Sequence, residues 1–219
     1  MAHALAGEAG RDRPLRAVTI SRETGAGAVT VGKLLADYLE GREAGLPHSA
    51  WAVFDRELVK MVLRDHGLPA EVERYMPEDA SGRFADAMEE VLGLHPSSWT
   101  LVQSTNHTIR RLALAGNVIL VGRGAHLVAG GLRHVLHIRL VAPLDFRVRH
   151  IQEYYQLNRK QAEEFVRKGD QAKARYVRRN FESRVQDPLS FHLTINTGRV
   201  NYAQAARIIG DVVLNMRIQ

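Results

Sequence analysis

The chain has 219 residues, 45% of them hydrophobic, with 30 Lys and Arg against 24 Asp and Glu, a net charge of +6. That length supports one domain with a sizeable core. The sequence holds no cysteine, which excludes disulfides, thiolate metal sites and cysteine nucleophiles, and no apolar run is long enough to span a bilayer.

Met1 to Pro14 mixes Ala, Gly and charges without the apolar stretch of a signal peptide. It reads as a disordered leader, with a single domain over 15–219 and a cytoplasmic location. Leu15 to Ile20 is a short β-branched run, the mark of a buried strand. A turn rich in glycine follows at Gly25-Ala26-Gly27-Ala28. The next helix carries Val31, Leu34, Leu35, Tyr38 and Leu39 on one face. Strand, glycine turn and helix open a parallel sheet. Trp51 to Phe54 is a second strand ending at Asp55, and Glu57 to Arg64 is expected to be helical. Residues 56–97 are expected to form a helical insert over the sheet edge. A long helix is expected over Trp99 to Leu114, then strands at Val118 to Val121 and Val135 to Val141. Helices at Pro143 to Tyr155 and Arg159 to Phe181 follow. The last strand, Leu193 to Ile195, leads into a closing helix marked by Ala205, Ile208, Ile209, Val212 and Met216. This alternation predicts an α/β fold: an open parallel sheet with helices on both faces.

In such sheets ligands bind beyond the C-terminal strand ends, where loops 22–28, 55–56, 122–124 and 196–198 fall. Phosphate binding needs inward backbone N–H groups and a helix N-terminus behind them. The segment Arg22, Glu23, Thr24, Gly25, Ala26, Gly27, Ala28, Val29, Thr30 can supply both, or it can be a tight turn that binds nothing. Set against G-x-x-x-x-G-K-[ST] with Gly27 as the second glycine, it has Arg22 at the first glycine, Ala28 at the lysine and Val29 at the hydroxyl. Thr30 can offer its hydroxyl to Mg2+ or cap the helix. Arg123 follows a buried strand, where its guanidinium suits a phosphate, or it faces solvent at a helix start. Asp55 can bind a ribose or base edge, help hold Mg2+, or cap the next helix.

A positive balance calls for an anionic partner: nucleotide phosphates, nucleic acid or an acidic protein. The excess is local, because residues 159–184 hold nine basic and four acidic side chains, a difference of +5. Within them Arg175, Arg178 and Arg179 share a helix face at i, i+3, i+4. Arg175 and Arg179 are candidate phosphate contacts and Asp170 a candidate ion-pair partner for one of them; the alternative is a solvated charged face. A closing basic lid would neutralise phosphoryl charge and exclude water. With aromatic content at 6% and no aromatic interleaving, nucleic acid is not the expected partner.

The ordered set of loops resembles the cytidylate kinase-like family, a branch of the P-loop nucleoside monophosphate kinases. It is carried by Ile20-Ser21-Arg22 with Gly25-Ala26-Gly27, Phe54-Asp55-Arg56-Glu57-Leu58, Val121-Gly122-Arg123-Gly124-Ala125 and Val141-Ala142-Pro143. Asp170 with Arg175-Tyr176-Val177-Arg178-Arg179, Asp187-Pro188, His192-Leu193 and Ile195-Asn196-Thr197-Gly198-Arg199 complete it. The resemblance implies a P-loop NTPase fold using ATP and Mg2+, with nucleotide contacts from the glycine loop and Asn196-Thr197. It implies a monophosphate site near Asp55, Arg56 and Arg123, a catalytic set of Arg123, Asp170, Arg175 and Arg179, and a basic helical lid over about 157–186. The implied reaction is phosphoryl transfer from ATP to CMP or dCMP. The alternatives are a non-catalytic nucleotide sensor, favoured by uncharged Ala28, Val29 and Val121, and a kinase of another small acceptor.

Overall fold

The structure, a computed structural model, describes residues 16–45, 50–55 and 99–216. The leader, Arg56 and the expected insert and its helix therefore lie outside the described residues.

Five strands form one sheet: β1 (Ala17–Arg22), β2 (Ala52–Phe54), β3 (Val118–Val121), β4 (Val135–Val141) and β5 (Leu193–Asn196). Their order is β2-β3-β1-β4-β5, and every pairing is parallel. β1 begins later than the sequence pattern suggests and runs on to Arg22, because Ser21 and Arg22 still pair with Arg139 and Leu140. The chain leaves central β1 for one side of the sheet, returns at β3, and crosses β1 to reach β4 and β5. The topological switch thus lies at the C-terminal end of β1, where an open α/β sheet leaves a crevice.

The helices are α1 (Ala28–Arg42), α2 (Trp99–Ala115), the short α3 (Ala125–Val128), α4 (Leu144–Tyr155), α5 (Arg159–Phe181) and α6 (Tyr202–Asn215). Strand alternation splits the sheet into two faces. Val18, Ile20, Ile119, Val121, Leu136, Ile138 and Leu140 point to one, where Val31, Leu35 and Leu39 of α1 and Ala205, Ala206 and Ile209 of α6 cover them. Ala17, Val118, Leu120 and Val135 point to the other, under Ile109 and Ala113 of α2 and Ala125 of α3. The expected apolar face of α6 is rotated. Ile208 is 44% exposed, whereas Ala206, Ile209, Gly210 and Val213 are buried. Small residues on this helix allow close packing: a Cβ at Gly210 would lie 2.4 Å from the Tyr38 ring of α1.

The second face is not wholly apolar. Thr19, Ser21, His137 and Arg139 are all buried there. Each buried polar atom needs a partner. Thr19 Oγ1 lies 2.8 Å from His137 Nδ1, the His137 N–H donates to His192 Nδ1, and Arg139 donates to the Val185 carbonyl at 2.6 Å. Burial lowers the pKa of His137 to about 4, with the charges of His192 and His126 adding to the effect. Burial, then Arg139, lowers His126 likewise to about 4.

α4 and α5 form an antiparallel pair closed by Val148, Ile151, Ala162, Phe165 and Val166. Asn158 starts α5 through a capping box with Gln161, which satisfies two of the helix's free N–H groups. This pair carries α5 back over the strand ends.

Candidate active site

The loop between β1 and α1 is shaped by its own glycines and by anchors from distant segments. Gly25 and Gly27 have φ of +83° and +79°, a conformation that side chains disfavour. Space reinforces the requirement, since a Cβ would lie 2.6 Å from the Arg147 carbonyl oxygen at Gly25 and 2.4 Å from the Tyr202 ring at Gly27.

Three consecutive carbonyls of the loop are held from outside. The Thr24 carbonyl accepts from Arg147 Nη1 at 3.2 Å, and the Ala26 carbonyl from Thr197 Oγ1 at 3.0 Å. The Gly25 carbonyl lies 2.8 Å from His150 Nδ1, and since a carbonyl only accepts, that nitrogen carries the proton. Within a trans peptide the next residue's N–H is directed opposite to the carbonyl. Anchoring the carbonyls outward therefore turns the N–H groups of Gly25 and Gly27 toward the crevice. The first-turn N–H groups of α1 lie just beyond, with no side-chain cap, because the capping position is Gly27. Backbone N–H groups converging at a helix N-terminus suit a phosphate group, so the loop fits the polyphosphate of ATP. For Mg2+, which is held largely by phosphates and water, the chain offers Thr30, exposed on the first turn of α1, and Asp55, half-buried beyond β2.

α5 lies against this loop. Asp170 accepts from the Thr24 N–H at 2.7 Å and the Thr24 hydroxyl at 2.8 Å. Its other oxygen pairs with Arg147 Nη1 at 2.6 Å, and Lys173 Nζ stands 3.5 Å from the first. Arg147 continues the network, with Nε donating to the Ala142 carbonyl at 2.9 Å and lying 3.4 Å from Glu23 Oε2. Lys173 also donates to the Thr24 hydroxyl oxygen. Burial works to raise the Asp170 pKa, but Lys173, the two Thr24 donors and Arg147 outweigh it, and the net shift is downward. Lys173 is lowered to about 7, mainly by burial and then by Arg22, against the opposing pull of Asp170.

A second turn closes the site. Gly122, Arg123 and Gly124 all have positive φ, of 86°, 53° and 68°. For Arg123 this is a strained conformation, costing about 1–2 kcal/mol. Gly122 lies directly under the Arg22 guanidinium, where its φ of +86° disfavours a side chain, and Gly124 lies under the Phe181 ring of α5, where a Cβ would meet the ring at 2.5 Å. Tyr176 of α5 is close enough to Arg123 to feel its charge.

The structure thus brings Arg22, Gly25, Ala26, Gly27, Ala28, Arg123, Asp170 and Thr197 to one edge of the sheet. Thr197 serves the loop as an anchor, and Asn196 turns its Oδ1 onto the Gly198 N–H at 3.0 Å. Arg175 and Arg179 are exposed on α5, and Val29 and Thr30 on α1. The expected pairing of Asp170 with Arg175 or Arg179 is replaced by pairing with Arg147 and Lys173. Lys173 is one turn away on the same helix face, whereas Arg175 and Arg179 are directed elsewhere. Sequence reasoning placed Glu23 and Thr24 in the loop without a role of their own and did not single out Arg147, His150, Lys173 or Tyr202. The i, i+3 spacing of Asp170 and Lys173 was the one available signal.

A sequence profile of the cytidylate kinase-like family matches residues 17–199, most of the chain. The chain belongs to the cytidylate kinase-like family. This membership supports nucleotide-dependent phosphoryl transfer as the general activity. No curated protein matches the chain. Among solved structures, an uncharacterized protein from Eubacterium ventriosum aligns with a TM-score of 0.66 at 17% identity, covering 91% of this chain and 99% of its own. A shikimate kinase from Bacteroides thetaiotaomicron aligns with a TM-score of 0.50 at 13% identity, covering 92% and 99%. At these identities the likeness is one of fold: this cytidylate kinase-like chain shares the α/β architecture of those structures. No helix among the described residues is long and apolar enough to cross a membrane.

Proposed function

We propose that the chain catalyses ATP-dependent phosphoryl transfer to a nucleoside monophosphate, with CMP or dCMP the favoured acceptor. The observation that carries the reading is the glycine loop, whose outward-anchored Thr24 and Ala26 carbonyls turn the Gly25 and Gly27 N–H groups to the crevice. ATP supplies the phosphoryl group, and Mg2+ neutralises part of its charge. The protein's share is positioning and electrostatics. Gly25 to Thr30 would seat the triphosphate, and Arg22, with its guanidinium over Gly122, would face the phosphates across the crevice. Arg123 and Asp55 are proposed for the acceptor, together with Arg56. Asn196 and Thr197 are proposed for the nucleotide side, Thr197 by fixing the loop. α5 is the proposed lid: Asp170 holds it against Thr24, and Arg175 and Arg179 are further cations available to a bound phosphate. The CMP and dCMP preference rests on the family description.

A coupled assay of ADP release tests this, with ATP and Mg2+ against a panel of nucleoside monophosphates, shikimate as a second acceptor class, and no acceptor as control. Turnover dependent on CMP or dCMP is expected. Turnover with another acceptor replaces the substrate and keeps the reaction. ATP binding without turnover favours the nucleotide sensor, for which the uncharged Ala28–Val29 pair speaks. Failure to bind ATP refutes the whole reading.

A further inference from the structure

Phosphate loops of this geometry ordinarily carry a lysine immediately after the second glycine, reaching back over the bound phosphates. Here that position is Ala28, a buried member of the core between α1 and the sheet, and the neighbouring Val29 and Thr30 are exposed and uncharged. Lys33, the nearest lysine on α1, is exposed further along the helix. The loop itself therefore supplies N–H groups but no ammonium.

An ammonium does reach the loop, from a helix more than a hundred residues later. Lys173 of α5 donates to the Thr24 hydroxyl, and its side chain is only 21% exposed. A lysine is seldom held in such a place unless it is paired. Its carboxylate partner, Asp170, is shared with Arg147 at the shorter distance, 2.6 Å against 3.5 Å. The charged groups acting on Lys173 come from three elements, Arg22 at the end of β1, Arg147 of α4 and Asp170 of α5; Glu23 of the loop faces Arg147, and Arg139 of β4 feels Glu23 and Asp170. The inward N–H groups beside Lys173 favour an anion, the ligand that would draw the ammonium toward the crevice.

We propose that Lys173, delivered by α5, is the phosphate-binding cation that the glycine loop lacks at Ala28, so that tight triphosphate binding requires α5 to lie closed on the loop. This deepens the kinase reading and rests on the loop taking a polyphosphate. Its long flexible stem lets the ammonium exchange the Thr24 hydroxyl for a phosphate oxygen while Asp170 keeps the helix in place. With a pKa lowered to about 7, Lys173 is mostly neutral at pH 8. A bound polyphosphate favours its charged form, so binding at pH 8 must draw in a proton.

The test is calorimetric titration with MgATP, and separately with inorganic tripolyphosphate, at pH 8 in two buffers of different ionisation enthalpy. The wild type is compared with Lys173→Met and Lys173→Arg. Wild type is expected to take up close to one more proton than either variant. Lys173→Met is expected to bind about 10- to 100-fold more weakly, the range of a lost charge-assisted contact. Lys173→Arg, always charged, is expected to keep most of the affinity and none of the extra proton uptake. Wild-type binding without excess proton uptake, or Lys173→Met binding within twofold of wild type, overturns the proposal and leaves the kinase reading standing. Absence of binding by the wild type overturns both. If Lys173→Met does not fold, the comparison of wild type with Lys173→Arg decides the matter.

Discussion

Removing the Asp170 carboxylate should loosen the whole corner of the molecule between α5 and the glycine loop. The carboxylate accepts from the Thr24 N–H, the Thr24 hydroxyl and Arg147, and faces Lys173. In Asp170→Ala two cations with side chains only 11% and 21% exposed lose their shared anion. Breaking a fully buried pair costs about 3–5 kcal/mol. The Asp170 side chain is 33% exposed, so water offsets part of the loss, and about 2–3 kcal/mol is expected at pH 7. For a chain of this size that lowers Tm by about 5–10 °C. Asp170→Asn keeps an acceptor for Thr24 and should lose about 1–2 kcal/mol. Urea unfolding of Asp170→Ala, Arg147→Met and the double variant separates the pair from its surroundings, with a coupling of about 1–2 kcal/mol expected. A loss below about 0.5 kcal/mol for Asp170→Ala, or strict additivity in the cycle, would refute the assignment of Asp170 as the tie between α5 and the loop.

Acid should find the buried histidines. His126 and His137 have folded pKa values of about 4, below the ordinary 6.5. Between those values the unfolded chain binds more protons, so stability falls as pH drops from about 6.5 toward 4, by about 2 kcal/mol per histidine at pH 5. Urea midpoints at pH 7 and pH 5 measure this. The His126 Nε2 is buried without a hydrogen-bond partner, so His126→Leu should be close to neutral at pH 7 and remove part of the acid sensitivity; an unchanged pH slope would count against it. Gly27→Ala adds a Cβ 2.4 Å from the Tyr202 ring at a φ of +79°. It should lower the urea midpoint and weaken tripolyphosphate binding. Pairing it with Tyr202→Ala should recover the steric part and leave about 1–2 kcal/mol of backbone strain.

The strands and the longer helices were legible because their burial repeats at the strand and helix periods, whereas the four-residue α3 is too short to show a period. Most of α5 was readable, while its ends are set by the Asn158 cap and by the positive φ of Glu182. The rotation of α6 was not, since Ile208 and Ile209 are alike as residues and only packing against Tyr38 and Leu35 at Gly210 sets which one is buried. In the site, the glycine loop and the Gly122-Arg123-Gly124 turn could be read because glycine reports backbone shape. Arg147, His150 and Tyr202 could not. Each acts on a backbone group or ring far along the chain, and nothing in their own neighbourhoods marks them. Lys173 lay in view among nine basic residues, but charge content alone does not say which cation turns inward.

The three anchored carbonyls also set a timetable for the growing chain. Residues 22–30 leave the ribosome well before the groups that fix their shape, Arg147, His150 and Thr197. A nascent chain ending before residue 197 carries the loop's sequence with the Ala26 carbonyl untethered, so the loop takes its anchored shape only once Thr197 has emerged.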